Sequence, residues 1–212
     1  MVPERMRCFY AASPIRPESE TPDVRSGAGE TFRGDRDRTF TVSHPPTKAL
    51  LMALAETWPR PLAFEDLLAR IGDLLGGEIE EKLLADMLFS LYCGGFLDLH
   101  LLPPLCTERV SERPRASQLA RREAAQGSHV TSQHRRILRL DDELARLLLQ
   151  HLDGTRDRAA LRDVLAQEVQ EGRLGIEKDG TPVRDLGQLG PYLDALVEQN
   201  LRKMAGLALL VA

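Results

Sequence analysis

The side chains that could ligate a metal ion are few and widely separated along this chain. There are five histidines and three cysteines, namely His44, His100, His129, His134, His151, Cys8, Cys93 and Cys106. No two histidines stand four residues apart, as a helical zinc pair requires, and no Cys-x-x-Cys occurs. His129 and His134 have a spacing that would suit a loosely held ion, but their surroundings favour a solvated loop. We therefore predict no metal site, and we expect Cys93, at a predicted helix end, to be a buried structural cysteine.

Chemistry that uses a nucleotide or S-adenosylmethionine needs a glycine-rich turn between a buried strand and a helix, where backbone amides approach the cofactor. The glycine pairs of this chain are Gly27/Gly29, Gly76-Gly77 and Gly94-Gly95. The first lies in a loop rich in Pro and Ser, the second joins two predicted helices, and the third ends a helix. Since no Ser/His/Asp or paired-carboxylate spacing is present either, we predict no catalytic residue, no cofactor and no enzymatic activity.

The remaining candidate for function is a run of arginines in the middle of the chain. The predicted partner-docking residues are Arg109, Arg113, Arg115, Arg121 and Arg122. Two interpretations are open. These side chains either form a solvated loop with ion pairs to acidic helices, or they form a docking strip for an acidic partner, a substrate or a neighbouring domain.

The elements that must position these residues begin with a short β-rich segment, 1–43. Within it, Glu30–Arg33 and Thr39–Val42 are predicted strands, too short for a core of their own and typical of the trailing edge of a regulatory domain. Residues 44–104 form a first winged-helix-like unit, in which three amphipathic helices precede a strand over Phe96–Leu101. Gly94-Gly95 is the expected left-handed end of the third helix.

Residues 105–134 are predicted to be a connector with one helix over Ser117–Ala125. In residues 135–212 the same order of elements repeats, which predicts a second winged-helix-like unit. It begins with a strand over Ile137–Leu140 and a helix capped by Asp141 or Asp142, and it ends with a strand over Leu207–Val211. A polar hairpin with its turn at Asp179-Gly180 precedes the last helix. The predicted fold class is mainly α with small β-sheets (α+β), although helix packing alone would produce a similar repeat.

Bulk composition excludes several partners. The formal net charge is −4, so no global field favours nucleic acid or an anionic membrane. No apolar stretch is long enough to span a membrane, and the first residues lack the apolar core of a signal peptide. An odd number of cysteines fits a reducing compartment, so we expect a cytoplasmic protein with no membrane partner.

Winged helices often bind DNA through their third helix, which then exposes Arg, Lys, Asn or Gln. Here the two third helices expose anions, among them Glu80, Asp86 and Asp194, and the second has cations only at its end, at Arg202 and Lys203. Nucleic acid is therefore an unlikely partner from the sequence. A stand-alone winged-helix DNA-binding transcriptional regulator is the alternative function, and it depends on those two terminal cations.

Several stretches, taken in order, resemble a known family. They are Ala12–Pro17 (ASPIRP), Phe32–Gly34 (FRG), His44–Ala49 (HPPTKA), Leu54–Pro59 (LAETWP), Arg113–Ser117 (RPRAS), Leu140–Asp142 (LDD) and Leu152–Arg158 (LDGTRDR). This order is similar to the region downstream of the catalytic domain in bacterial class I S-adenosylmethionine-dependent methyltransferases with a methyltransferase regulatory domain. Protein-lysine methyltransferases that act on rickettsial outer-membrane proteins have a similar layout. Gln118 stands where the pattern has a proline.

The resemblance implies a C-terminal winged-helix-like region that assists dimerisation and holds the protein substrate. The family's cofactor-binding turn has no counterpart here, so no catalytic residue is transferred. We predict a non-catalytic regulatory, substrate-binding or assembly module. Its expected partner is a protein or a methyltransferase domain, and a homodimer is possible on the same grounds.

Overall fold

The computed structural model describes residues 3–34, 38–175 and 190–211, together with the backbone of 177–178 and 181–182. The chain forms two compact units, Met1–Pro104 and Leu105–Ala212. Both combine α-helices with small antiparallel sheets, so the predicted fold class is confirmed. No helix among the described residues is both long enough and apolar enough to cross a membrane.

The first unit begins with a 3-10 helix, Pro3–Cys8, and has six short strands and three helices. The strands are β1 (Tyr10–Ala12), β2 (Arg16–Pro17), β3 (Glu30–Arg33), β4 (Thr39–Val42), β5 (Leu62–Ala63) and β6 (Asp98–His100). The helices are α1 (Pro45–Thr57), α2 (Phe64–Leu75) and α3 (Glu81–Cys93).

Two three-stranded antiparallel sheets accompany these helices. One has the order β2-β3-β4, and the other has the order β5-β1-β6. In the second sheet Tyr10 lies opposite both Ala63 and His100, so the central strand comes from the segment that precedes all three helices. The N-terminal residues thus complete the sheet of the helical unit.

The core of the first unit forms where the apolar faces of the three helices meet. Ala49, Leu50, Leu67, Leu84 and Leu88 are fully buried or nearly so. The last helix ends as its glycines predict. Gly95 has φ +71°, its amide donates to the carbonyl of Tyr92, and the amide of Phe96 donates to that of Leu91. This is the Schellman pattern, which needs a left-handed residue at the position that glycine occupies.

The second unit contains four helices and four short strands. The helices are α4 (Gln118–Gln126), α5 (Glu143–His151), α6 (Arg158–Gln170) and α7 (Gly190–Gly206). The strands are β7 (His129–Thr131), β8 (Ile137–Arg139), β9 (Glu177–Lys178) and β10 (Thr181–Pro182), paired antiparallel as β7-β8 and β9-β10. The predicted turn at Asp179-Gly180 lies outside the described residues.

Three helices of this unit begin at side-chain caps. Ser117, Asp142 and Asp157 each accept a hydrogen bond from a backbone amide of the first turn of α4, α5 and α6. Each cap provides a partner for an amide that the helix cannot bond internally. Of the two aspartates proposed as the cap of α5, Asp142 is the one used.

The predicted strand at Leu207–Val211 is wrong. Only Leu210 makes a bridge, opposite Ala116, because the chain leaves α7 through a tight turn in which Ala208 has φ +54°. The amide of Leu209 donates to the carbonyl of Met204, so this stretch closes the helix instead of extending along a sheet.

Two predictions about reactive side chains are also wrong. Cys93 is exposed, because the third helix turns its last residue away from the core. His134 is buried, with its Nε2 4.0 Å from the Sγ of buried Cys106, and is therefore not part of a solvated loop. His129 is exposed, as predicted.

Candidate partner-docking site

The five arginines predicted to bind a partner lie along one stretch of the second unit. Arg109 is in the loop that precedes the unit's first helix, and Arg113 and Arg115 flank the buried Pro114. Arg121 and Arg122 are neighbours on α4. All are exposed except Arg121, which is partly buried. We name Arg109, Arg113, Arg115, Arg121 and Arg122 the arginine strip.

The extended part of the arginine strip is held by backbone pairing. Arg115 forms a bridge opposite Asp153, and its carbonyl accepts a hydrogen bond from the amide of Val211 at 2.8 Å. The next amide, that of Ala116, donates to the carbonyl of Leu152 at 2.8 Å. These bonds use the main chain of residues 115 and 116 and leave the Arg115 side chain exposed.

Arg158, at the start of α6, holds the preceding loop. Its Nη1 donates to the carbonyl of Ser111 at 2.9 Å, and its Nη2 lies 3.4 Å from the carbonyl oxygen of Val110. Its Nε donates to the carboxylate of Glu198 on α7 at 2.9 Å. The pKa of Glu198 is lowered by this bond, with a further contribution from Arg202. One guanidinium therefore ties the loop between Arg109 and Arg113 to two helices.

The turn that faces Arg115 is ordered by Asp153. Its carboxylate accepts from the amide and hydroxyl of Thr155, at 2.9 and 2.5 Å, and from Arg156 at 2.7 Å. The Thr155 hydrogen bonds, with a smaller effect of Arg156, lower the pKa of Asp153 to about 2. Gly154 follows with φ +86°, a conformation that favours glycine.

The charge state of the arginine strip differs from that of other arginines in the unit. Among the described residues, none of its five side chains makes an ion pair or donates a side-chain hydrogen bond, and the Nε of Arg121 is buried without a partner. By contrast, ion pairs to carboxylates are made by Arg139, Arg146, Arg156, Arg158, Arg162, Arg173 and Arg202. The strip is thus a set of cations without internal counter-charges.

The acidic face expected on the last helix is largely neutralised. Arg158 pairs with Glu198, and Arg162 lies 3.6 Å from Asp194. Arg202, one of the two cations on which DNA binding would depend, also pairs with Glu198, at 3.0 Å. This helix consequently offers little free charge of either sign.

A cleft of about 400 Å³ lies at the C-terminal end of α4, between it and the two following helices. Its lining includes Gln126, Leu147, Gln150, Glu168 and Arg173. The last two residues share two hydrogen bonds, at 2.6 and 2.7 Å, which lower the pKa of the Glu168 carboxyl. Among the residues described around the cleft there is no cysteine, serine or histidine, so the lining suits binding better than nucleophilic chemistry.

The described glycine pairs have the surroundings that the sequence predicts. Gly76 and Gly77 end α2 and lead to the next helix, and Gly94 and Gly95 follow the end of α3. Neither pair connects a strand to the N-terminus of a helix, where backbone amides would approach a phosphate or an adenosyl group.

Sequence reasoning missed one buried polar residue, Lys48 on α1. It is completely buried, and its ammonium donates to three backbone carbonyls, those of Asp23, Ser26 and Ala28, at 2.6, 2.7 and 3.0 Å. A lysine at the edge of an apolar helical face was the available signal, because lysine is almost never fully buried without partners.

Comparison with known proteins agrees with the resemblance seen in the sequence. Residues 112–209 match the family model described as the PKMT C-terminal winged helix domain. An uncharacterized protein of Rickettsia prowazekii, RP789, is 21% identical over 190 residues, which are 85% of this chain and 33% of that protein.

Two solved structures share the fold over 99% of this chain and 43% of their own. PKMT2 from Rickettsia typhi in complex with AdoHcy has a TM-score of 0.76 at 21% identity. PKMT2 from the same organism, in a second structure, has a TM-score of 0.73 at 22% identity. The resemblance to the C-terminal part of a protein-lysine methyltransferase is confirmed, and the chain spans less than half of these relatives.

Proposed function

We propose that this chain is a non-catalytic binding module, the regulatory, substrate-binding or assembly part of a protein methyltransferase. The observation that supports this most directly is the arginine strip, whose cations have no internal counter-charge among the described residues. Part of the strip, from Arg113 onward, also lies within the winged-helix match at 112–209. A surface of unpaired guanidinium groups favours an acidic partner, because each pair forms without breaking an existing one.

The absence of catalysis is part of the proposal. The described glycine pairs end helices, and the cleft at the end of α4 is lined by groups that already bond to one another. Calorimetric titration with S-adenosylmethionine is expected to give no heat of binding for the isolated chain. A saturable isotherm would overturn this part of the proposal.

The partner we propose is a protein, either a methyltransferase domain or the protein that such an enzyme modifies. The solved relatives are more than twice as long as the match, so they contain further regions that a module of this kind could contact. A second copy of the chain is a further candidate partner, for which sedimentation at several concentrations is the measurement. The three free cysteines are consistent with a reducing cytoplasm as the place of action.

The arginine strip can be tested with a variant that keeps the fold. The four exposed members, Arg109, Arg113, Arg115 and Arg122, are replaced by glutamine, whereas the partly buried Arg121 is kept. The matched control replaces four cations elsewhere, namely Arg5, Lys82, Arg202 and Lys203. Unchanged circular dichroism and unfolding midpoints establish that both variants fold.

Wild type, the strip variant and the control are immobilised and exposed to lysate of the source organism, and retained proteins are identified by mass spectrometry. We expect at least one protein that wild type and control retain and the strip variant does not. That protein is then purified and titrated against all three. Equal affinity for the strip variant and wild type would contradict the proposal.

DNA binding has no supporting observation in the described residues. Arg202 is already paired, and the exposed residues of α3 include the acidic Asp86. We expect no retention of duplex DNA even at low salt, where phosphate contacts are strongest. Salt-dependent retention that Arg202 or Lys203 substitutions weaken would restore the transcriptional-regulator alternative.

A further inference from the structure

We propose that the outer face of α4, together with the edge of the adjoining hairpin, binds an acidic protein segment that inserts apolar side chains. This inference rests on the proposed function, because it names the partner class for the same surface. The residues are Leu119, Arg122, Gln126 and Ile137, which we call the α4 surface.

The helix has one buried and one open side. Ala120 and Ala124 are buried in the core of the unit, whereas Leu119, Arg122 and Gln126 are exposed. The exposed residues follow each other at three and four positions, so they lie on one face of the helix. A leucine that is 55% exposed on that face contributes little to the core and is available to a partner.

A second exposed apolar residue lies beside this face. Ile137, on β8, is 75% exposed and stands directly opposite Thr131 on the neighbouring strand. Residues paired in this way have side chains on the same face of the hairpin, with Cβ atoms about 5 Å apart. The Thr131 hydroxyl donates to the carboxylate of Glu123 at 2.9 Å, so this face of the hairpin contacts α4 one turn after Leu119.

The charge of the α4 surface determines which apolar partner fits. The carboxylate of Glu123, the acid on this part of the helix, already accepts from the amide and hydroxyl of Thr131, at 2.6 and 2.9 Å. Arg122 has no partner among the described residues and is exposed. The surface therefore presents an unpaired cation beside two exposed apolar side chains.

An acidic segment with apolar side chains satisfies both features at once. Its carboxylates would pair with Arg122 and with nearby members of the arginine strip, and its apolar side chains would cover Leu119 and Ile137. The pairing would gain from burial, because apolar contacts exclude water from around the charges. A nucleic acid would supply the charge but would leave both aliphatic side chains exposed to water.

The test uses fluorescein-labelled peptides and fluorescence anisotropy. The probe is a glutamate- and alanine-based helical peptide with two leucines on one face. The comparison probes replace the leucines by serine or the glutamates by lysine, and a labelled DNA duplex represents the nucleic-acid alternative. We expect the acidic leucine peptide to bind most tightly, and binding to weaken as salt is added.

Matched variants locate the binding. Arg122→Glu should weaken the acidic peptide roughly tenfold or more, whereas Lys203→Glu, with the same charge change on α7, should change it by no more than about twofold. Leu119→Gln combined with Ile137→Thr should also weaken it roughly tenfold, whereas Leu101→Gln should leave it unchanged. Because all substituted residues are exposed, circular dichroism should show folded proteins throughout.

Three results would overturn the inference: equal loss with Lys203→Glu, equal affinity for the serine peptide, or tighter binding of the lysine peptide or the DNA. The proposed function is tested separately. If the lysate experiment yields an arginine-dependent partner while no acidic peptide binds, this inference fails and the module assignment stands. If the peptide binds but no such partner exists, the proposed function fails instead.

Discussion

The ammonium nitrogen of Lys48 lies 2.6 Å from the backbone carbonyl oxygen of Asp23, in a position completely shielded from solvent. The same ammonium bonds the carbonyls of Ser26 and Ala28. The Asp23 carboxylate in turn accepts from the amides of Arg25 and Ser26 at 2.9 and 3.1 Å. A loop of six residues is thus fastened to α1 by one side chain, because every donor of the ammonium has an acceptor within it.

Replacing Lys48 by methionine should lower the free energy of unfolding by about 2–3 kcal/mol, since three carbonyls lose their charged donor and must find water. Chemical denaturation measures this loss, and hydrogen exchange at the Arg25 and Ser26 amides should accelerate. Lys82→Met, which removes an exposed lysine from α3, is the control and should cost less than about 0.5 kcal/mol. Equal losses for the two variants would show that the buried contacts contribute nothing.

Asp153 should make stability depend on pH in acid. Its folded-state pKa is about 2, below the ordinary value of 3.8, so its contribution is fully present above pH 3.8 and is lost as the pH falls through about 2. After allowance for solvent screening, Asp153→Asn should cost about 1 kcal/mol at neutral pH.

The measurement is urea unfolding of wild type and Asp153→Asn between neutral pH and the acid limit of folding. The difference between them should be constant at neutral pH and should shrink in the acid range. Asp73→Asn, at an exposed carboxylate on α2, is the control and should show a small and unchanging difference. A constant difference for Asp153→Asn would contradict the assigned role.

Arg158 should be sensitive even to a conservative change. Lysine keeps the charge but cannot reach the carbonyls of Val110 and Ser111 while it also bonds Glu198, so Arg158→Lys should cost about 1–2 kcal/mol. Proteolysis should then cut the loop between Arg109 and Arg113 faster. Arg162→Lys, at a surface pair on the same helix, should cost less than about 0.5 kcal/mol, and similar cleavage in both variants would argue against the fastening role.

Arg135 offers a stabilising change. It is exposed and has φ +61° in the turn between β7 and β8, a conformation unfavourable for residues with a Cβ. Arg135→Gly should raise the free energy of unfolding by about 0.5–1 kcal/mol, because relief of this strain exceeds the added freedom of the unfolded chain. Arg135→Ala keeps the Cβ and should give no gain in thermal unfolding. If alanine stabilises as much as glycine, the backbone is not the cause.

Local patterns were predicted well where short-range chemistry decides them. The strands Glu30–Arg33 and Thr39–Val42 occur at the predicted residues, and Ser117 caps the helix that was expected to start there. Alternation, caps and glycine positions depend on a few neighbouring residues, so they can be recognised without the fold.

Predictions failed where distant residues decide. Leu207–Val211 alternates like a strand but lies in the turn that closes α7, where its neighbours leave room for one bridge. His134 has polar neighbours in sequence and is nevertheless buried against Cys106, which lies 28 positions earlier. Side-chain burial depends on packing between segments that the local pattern does not specify.

By itself, the sequence determined where helices begin and end, that the glycine pairs end helices, and that cations accumulate between Arg109 and Arg122. These follow from capping, backbone sterics and composition, which act over a few residues. Only the tertiary structure decided that Tyr10–Ala12 is a central strand, that Lys48 binds a distant loop, and that the strip's arginines lack counter-charges while Arg158 and Arg162 have them. Pairing of strands and charges requires atoms to meet within about 3–5 Å, and for residues far apart in sequence only the folded chain sets those distances.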